Sequence, residues 1–135
     1  MSLNVRVITP DKIVWDAGAE EIILPSSTGQ IGILTDHAPL LTALDIGVMR
    51  LKIDGNWTSI VLMEGFAEVE NNKVTILCNG AEEGNSIDPQ KAQEDLEKMT
   101  LLVDETTTKK EKIEATLELR KAKARLNACL LYTSP

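Results

Sequence analysis

His37 is the single histidine of the chain and the first candidate for a catalytic side chain. It directly follows Asp36. A histidine beside an acid acts as a catalytic base only where a nucleophile lies within about 3 Å in space, and sequence adjacency does not supply that geometry. A structural or interface histidine is therefore the favoured interpretation, and a hydrolase that depends on His37 is the weaker alternative. One histidine also cannot form the multi-histidine clusters that hold catalytic metals, so no metal and no cofactor are expected.

Four basic residues form the most informative charged cluster. Residues 119–126 contain Arg120, Lys121, Lys123 and Arg125 with no acid among them. Bases near the end of a helix complement its dipole, which contributes typically ~0.3 to 1 kcal/mol each. The same residues can equally form an electrostatic patch for an acidic protein partner, and the two roles are compatible.

The overall composition limits the classes of partner. The 135 residues carry a net charge of -7, which argues against binding to a phosphate backbone. The acids outnumber the bases only in residues 1–85, whereas residues 86–135 are balanced at nine of each. No apolar run approaches the ~20 residues that span a bilayer, and residues 1–8 alternate like a strand, so we expect a soluble, unprocessed chain. Two distant cysteines favour a reducing compartment.

Two kinds of secondary structure must position these residues, and the sequence pattern indicates both. Up to Cys78, short runs alternate apolar and polar residues and are separated by turn-formers such as Asp54-Gly55-Asn56 and Asn71-Asn72. This pattern predicts an N-terminal antiparallel β-sandwich over residues 1–85. The more apolar runs Ile22-Ile23-Leu24 and Ile60-Val61-Leu62-Met63 predict strands that are covered on both faces.

The pattern changes after Gly84 to helical spacing. Asp88 with Pro89 predicts a helix start, and Thr108-Lys109-Lys110-Glu111 predicts a second one with a capping box. Two narrow apolar stripes follow these starts: Ala92, Leu96, Met99 and Val103, then Ala115, Leu119, Ala122 and Leu126. We therefore expect a two-helix antiparallel hairpin over residues 86–128. Because the stripes are rich in alanine, they bury little area, so the hairpin could open.

The last seven residues, 129–135, follow neither pattern. They read CLLYTSP, which resembles one reading frame of a common sequencing adapter. We interpret them as a non-native tail, and a frayed apolar C-terminus is the alternative. Neither Cys129 nor Tyr132 is assigned a function.

Several motifs resemble one family over residues 1 to about 128. The motifs are ITPDK at residues 8–12, GQIGILTDHAPLLTAL at 29–44, GFAEV at 65–69 and IDP at 87–89. Their wording and order resemble the epsilon subunits of F-type ATP synthases, in particular the cyanobacterial and plastid members and above all those of algal plastids.

The resemblance implies a non-catalytic rotor subunit with a β-sandwich and a helical hairpin. Its partners would be the gamma subunit, the c-subunit ring and the alpha/beta catalytic head, on the stromal or cyanobacterial cytoplasmic face of the thylakoid membrane. Gln30, Ile31 and His37 would belong to the region that meets gamma and the c ring. Arg120, Lys121, Lys123 and Arg125 would lie on an arm that meets acidic loops of the head and inhibits ATP hydrolysis.

The resemblance also implies an alternative function, a hairpin that closes on ATP. Relatives that do so carry an Ile-Asp-x-x-Arg-Ala motif, and the corresponding residues here would be Glu83, Asp88, Lys91 and Arg120. Lys91 replaces the motif arginine and lacks its planar fork, which suits phosphate, so this is a weak nucleotide site.

Overall fold

The computed structural model describes residues 2–131, and the side chains of residues 2–129. The described residues form ten strands, a single 3-10 turn at Gly84–Ser86 and two helices. The strands are β1 (Leu3–Ile8), β2 (Ile13–Ala19), β3 (Glu21–Ser26), β4 (Gly29–Ile33), β5 (Leu40–Leu44), β6 (Gly47–Ile53), β7 (Asn56–Leu62), β8 (Gly65–Glu70), β9 (Lys73–Cys78) and β10 (Ala81–Glu83). The helices are α1 (Pro89–Glu105) and α2 (Lys109–Leu131).

The strands form two layers that enclose the core. One layer has the order β10-β7-β6-β3, with β4 beside β3, and the other has the order β5-β8-β9-β1-β2. The layers are joined where Ser26 of β3 pairs with Leu44 of β5. Among the described strands, every pair is antiparallel except β1 with β9, which is parallel. The predicted sandwich is confirmed, with one parallel pair that the alternation could not reveal.

The core is aliphatic and follows the period-two pattern. On β1, Leu3, Val5 and Val7 are fully buried while the residues between them are exposed. Strand β7 is covered on both faces, as predicted, because Ile60 and Leu62 join the main core while Val61 packs under α2. Ile23 of β3 is only half-buried, so the run that contains it is covered less completely than β7.

The predicted hairpin turns are present. Asp54 and Gly55 have φ angles of 51° and 79°, and Asn71 and Asn72 have φ angles of 52° and 63°. Two successive residues in the left-handed region are typical of the tight turns whose twist matches that of the flanking strands. Asp, Asn and Gly tolerate this region better than other residues, which is why these turns could be located in the sequence.

Both helix starts are confirmed. The carboxylate of Asp88 accepts hydrogen bonds from the backbone amides of Gln90 and Lys91 at 3.0 and 3.4 Å, with Pro89 at the first helical position. The Thr108 hydroxyl accepts from the amide of Glu111 at 3.2 Å. Helix α2 continues through Leu131, so the first three residues of the proposed tail are helical, whereas residues 132–135 lie outside the described residues.

Candidate functional site

Helix α2 lies against the outer face of β6 and β7, and α1 packs on α2. The contact with the sandwich is made by small side chains, since Ala124 and Ala128 bury Val61 together with flanking residues. The flanking, partly buried residues are Ile46, Val48, Met63 and Ile87. Because α2 contributes only alanines to this cluster, the helix buries little apolar area of its own, and we call this contact the seam.

One buried hydrogen bond crosses this seam. The Ser59 hydroxyl on β7 donates to the backbone carbonyl of Ala128 at 3.0 Å. Ala128 lies in the last described turn of α2, where carbonyls have no partner within the helix. Gly84 packs on Ser59, and a Cβ at Gly84 would collide with the Ser59 hydroxyl. Ser59, Gly84 and Ala128 therefore fix how deeply α2 sits on the sheet.

The four bases of the predicted arm are placed unequally. The Arg125 guanidinium forms an ion pair with Glu82 at 2.8 Å, and that of Arg120 lies 3.9 Å from a carboxylate oxygen of Asp45. The ammonium of Lys121 pairs within the helix with Glu118 at 3.3 Å. Among the described residues, Lys123 has no ion-pair partner. Two of the four cations are thus held by acids of the sandwich.

The residues of the predicted nucleotide site are only partly brought together. Asp88 and Lys91 line a cavity of about 430 Å³ between the start of α1 and α2. Glu83 and Arg120 do not line this cavity, and Arg125 lines it instead. Its acids are Glu82, Asp88 and Asp95, of which Glu82 pairs with Arg125 and Asp88 caps α1. Its two bases are therefore outnumbered by its acids.

The residues predicted to meet the rotor lie on β4 and in the turn after it. Gln30 is exposed and lines a cavity of about 310 Å³ together with Arg120 and Lys123, while Ile31 is half-buried against the core. His37 is half-buried, and its Nδ1 lies 2.6 Å from the Ala38 carbonyl. Gln30 is therefore beside the arm, which its position in the sequence did not indicate.

Asp36 and His37 do not form a catalytic pair. The Asp36 carboxylate accepts a hydrogen bond from the Asn72 side-chain amide at 3.3 Å, and the backbone amide of Asp36 donates to the Asn72 side-chain oxygen at 2.6 Å. These bonds tie the turn to the β8–β9 hairpin, while the histidine ring faces Ala38. The arrangement gives no support to a hydrolase that depends on His37.

The two thiols are not disposed to act as nucleophiles. Burial raises the pKa of the Cys78 thiol. Burial, and then the nearby Asp88 carboxylate, raise the pKa of Cys129. A raised pKa disfavours the reactive thiolate. Within residues 2–131, there is no group of three or more His, Cys, Asp or Glu residues that could hold a metal, and no helix is both long and apolar enough to cross a membrane.

Sequence reasoning missed an exposed apolar row on the opposite outer face. In the second layer, Phe66 pairs with Ala43 on one side and with Leu77 on the other. Leu77 pairs with Ile8 across the parallel β1–β9 ladder, and Ile8 pairs with Ile13. Phe66, Leu77 and Ile13 are 59%, 54% and 53% exposed. We call Ala43, Phe66, Leu77, Ile8 and Ile13 the apolar row, because they cross all five strands of this layer.

Family comparisons assign the two regions of the chain. The beta-sandwich domain of the ATP synthase delta/epsilon chain matches residues 2–84, and the long alpha-helix domain of the same chain matches residues 85–129. The chain belongs to the ATP synthase delta/epsilon chain family. It is accordingly a subunit of ATP synthase rather than an enzyme in its own right.

Relatives in this family confirm the resemblance to plastid and cyanobacterial epsilon subunits. The chloroplastic ATP synthase epsilon chain of Emiliania huxleyi is 84% identical over 128 residues, which cover 95% of this chain and 98% of that one. The corresponding protein of Guillardia theta is 65% identical with the same coverage. The ATP synthase epsilon chain of the cyanobacterium Thermosynechococcus vestitus is 56% identical over 131 residues, which cover 95% of each chain.

Solved structures agree with the fold. A chain in a cryo-EM structure of Euglena gracilis mitochondrial ATP synthase, OSCP/F1/c-ring, matches with a TM-score of 0.82 at 20% identity, over 96% of this chain and 81% of that one. A chain of the Tetrahymena thermophila mitochondrial ATP synthase central stalk and c ring matches with a TM-score of 0.61 at 14% identity, over 96% and 97%. These likenesses confirm a sandwich followed by two helices.

Proposed function

We propose that this chain is the central-stalk subunit that couples the gamma subunit to the c ring and inhibits ATP hydrolysis through its C-terminal helices. The observation that carries this proposal is the apolar row. Monomeric proteins rarely leave contiguous apolar surface exposed, and large patches of this kind mark sites of protein interaction. Phe66 and Leu77, adjacent across two strands and each more than half exposed, supply the kind of anchor that a partner subunit buries.

The gamma subunit is the partner proposed for the apolar row, and the c ring is the partner proposed for Gln30, Ile31 and His37. These three residues lie on β4 and in the turn after it, and none of them belongs to the five strands that carry the row. Two separate surfaces allow one small sandwich to contact two partners at once. Because the relatives are named chloroplastic, we place the assembly at the stromal face of the thylakoid membrane, or at its cytoplasmic face in a cyanobacterium, with this chain held there peripherally by its partners.

The inhibitory element is the basic arm, defined as Arg120, Lys121, Lys123 and Arg125. In the docked hairpin these residues lie on the same part of α2 as the seam alanine Ala124. They carry four positive charges on fewer than two turns of the helix. An extended α2 would present them to acidic loops of the catalytic head. The narrow alanine seam supports this role, since a helix that buries little on the sandwich can leave it at modest cost in free energy.

The test is reconstitution with a catalytic head that contains gamma but lacks this chain. We expect the wild-type chain to bind stoichiometrically and to suppress ATP hydrolysis. A double variant, Phe66→Ser with Leu77→Ser, should bind at least about tenfold more weakly, because burial of an apolar side chain contributes roughly 1.5 to 3 kcal/mol. Both sites are exposed, so the fold should survive.

The matched control is Ile113→Ser, which removes a side chain of the same exposure, 54%, from α2 instead of from the row. It should bind like the wild-type chain. Equal loss of binding by both variants would show that the row is not the gamma contact, and failure of the wild-type chain to bind or inhibit would refute the proposed function.

The alternative function is nucleotide sensing by the hairpin, favoured by the cavity of about 430 Å³ that Asp88, Lys91 and Arg125 line. Its excess of acids and the Glu82 pair weigh against a polyphosphate ligand. Equilibrium titration of the full chain with ATP separates the two functions, since a rotor subunit without a sensor needs no nucleotide to bind the head.

A further inference from the structure

We infer that two carboxylates of the sandwich, Glu82 and Asp45, compete with the catalytic head for the cations of the basic arm. While the hairpin is docked, these two acids hold Arg125 and Arg120 on the sandwich. This inference rests on the proposed function of the arm and adds the residues that restrain it.

The two ion pairs differ in length and in exposure. Arg125 lies 2.8 Å from Glu82, and their side chains are only 31% and 39% exposed. Arg120 lies 3.9 Å from Asp45, and these two side chains are 42% and 50% exposed. A guanidinium that keeps a short, partly desolvated contact with one carboxylate cannot at the same time approach an acidic loop of another subunit. The Glu82 pair should therefore restrain the arm more than the Asp45 pair does.

Docking of α2 on the sandwich forces these ion pairs to form. Ala124 and Ala128, which make the seam, flank Arg125 on the same helix, and Ala128 is fixed by the Ser59 hydroxyl. When α2 sits on β7 at this depth, Arg125 faces Glu82 on the neighbouring β10, which pairs with β7. Every docked chain thus withholds Arg125 from the head, and release of the seam releases the cation.

The seam is weak enough for one ion pair to change the population of docked chains. On the helix side it is built from two alanines, Ala124 and Ala128, so the helix contributes little apolar area of its own to docking. A partly exposed ion pair changes an equilibrium by about two- to fivefold. Loss of the Glu82 pair should therefore shift the population of undocked chains by a similar factor.

Removal of either acid from the sandwich should therefore increase inhibition. In the full chain added to a head that lacks it, Glu82→Gln should lower the concentration for half-inhibition of ATP hydrolysis about two- to fivefold. Asp45→Asn should act in the same direction and less strongly, because its ion pair is longer and more exposed. Ser59→Ala, which removes the seam hydrogen bond without changing charge, should also strengthen inhibition.

The matched control is Glu83→Gln, which changes the net charge equally at the next residue. The Glu83 side chain makes no ion pair and no hydrogen bond within the part of the chain that the structure describes. This variant should inhibit like the wild-type chain. Amide hydrogen exchange of α2 in the free chain provides a second readout, and exchange should accelerate in Glu82→Gln and Ser59→Ala but not in Glu83→Gln.

The outcomes separate this inference from the proposed function. Stronger inhibition and faster α2 exchange in Glu82→Gln, with Glu83→Gln unchanged, support the inference. Equal shifts in the two glutamine variants would show that only net charge matters, and weaker inhibition by Glu82→Gln would overturn the competition outright. If the wild-type chain does not inhibit at all, the proposed function fails, whereas unchanged α2 exchange in Glu82→Gln removes Glu82 as a restraint on docking whatever the head does.

Discussion

The two outer faces of the sandwich differ in whether a helix covers them. The face of β6 and β7 is covered by α2 through alanines, one hydroxyl and two ion pairs. The face of β5, β8, β9, β1 and β2 leaves Phe66, Leu77 and Ile13 exposed. The exposed large apolar side chains are thus on the face that has no cover within the described chain, whereas on the covered face the helix contributes alanines and charged side chains.

The difference matches the strength of the contact to the role we propose for each face. Large apolar side chains give a persistent contact because they bury much area, and small side chains with charges give a contact that reverses easily. A subunit that must stay on the rotor while its helices move would need one face of each kind.

The largest effect should come from the layer that carries the apolar row. Gly65 has a φ angle of 157°, and a Cβ there would collide with the backbone of Leu77 and Cys78. Gly65→Ala should therefore lower the free energy of unfolding by about 2 to 4 kcal/mol, because neither the strain nor the backbone clash can relax locally. Urea denaturation measures this loss. Gly32→Ala, where a Cβ meets nothing within 4 Å, is the control and should stay within about 0.5 kcal/mol of the wild-type chain.

The sandwich should fold without the helices that cover β6 and β7. A chain ending at Asn85 should remain folded, because the strands before Gly84 bury a core that includes no helical residue. Circular dichroism and amide exchange report the fold, and reconstitution reports function. We expect the fragment to bind the head through the apolar row and to leave hydrolysis uninhibited. An unfolded fragment would mean that α2 is part of the core rather than a removable cover.

Much of this contrast was readable from local patterns. The strand alternation, the Asn71-Asn72 turn and the Asp88 cap each depend on residues close in sequence, whose conformational preferences act independently of the rest of the fold. The buried Val61 was also predictable, because a continuous apolar run indicates cover on both faces.

The sites themselves depend on contacts between distant residues. The bond from Ser59 to Ala128 spans 69 positions and the pair of Arg125 with Glu82 spans 43, so both follow from how α2 docks and not from any local preference. The apolar row could not be seen either, because Leu77 meets Ile8 only through the parallel pairing of β1 with β9. Ile8 and Ile13 read in sequence as ordinary strand residues.

A smaller effect is expected from the charges of the basic arm. Replacing Arg120, Lys121, Lys123 and Arg125 together by alanine should greatly reduce inhibition of hydrolysis while binding to the head stays near normal, since binding depends on the other face. Exposed ion pairs contribute only about 0 to 1 kcal/mol each and weaken with salt, so no single substitution should abolish inhibition. Added salt should weaken inhibition by the wild-type chain in the same direction. Full inhibition by the quadruple variant at low salt would show that these bases take no part in inhibition. The expected complement to the helix dipole does not explain them either, because α2 continues to Leu131 and none of the four lies in its last turn.

The smallest effect is expected from added nucleotide. Its binding tests whether the face that α2 covers also holds a ligand. The cavity there is lined by Glu82, Asp88 and Asp95 against Lys91 and Arg125, and its arginine is already paired at 2.8 Å. A triphosphate would have to displace Glu82 and approach two further carboxylates, so titration calorimetry of the full chain should detect no ATP binding below millimolar concentration. Lys91→Arg should strengthen whatever binding is seen, because a guanidinium can contact phosphate oxygens in a bidentate fashion and an ammonium cannot. Lys98→Arg, at an exposed position of α1 outside the cavity, is the matched control and should change nothing. Binding of ATP by the wild-type chain in the micromolar range would contradict this prediction and would make the hairpin a nucleotide sensor, whose ligand would then have to displace Glu82 from Arg125.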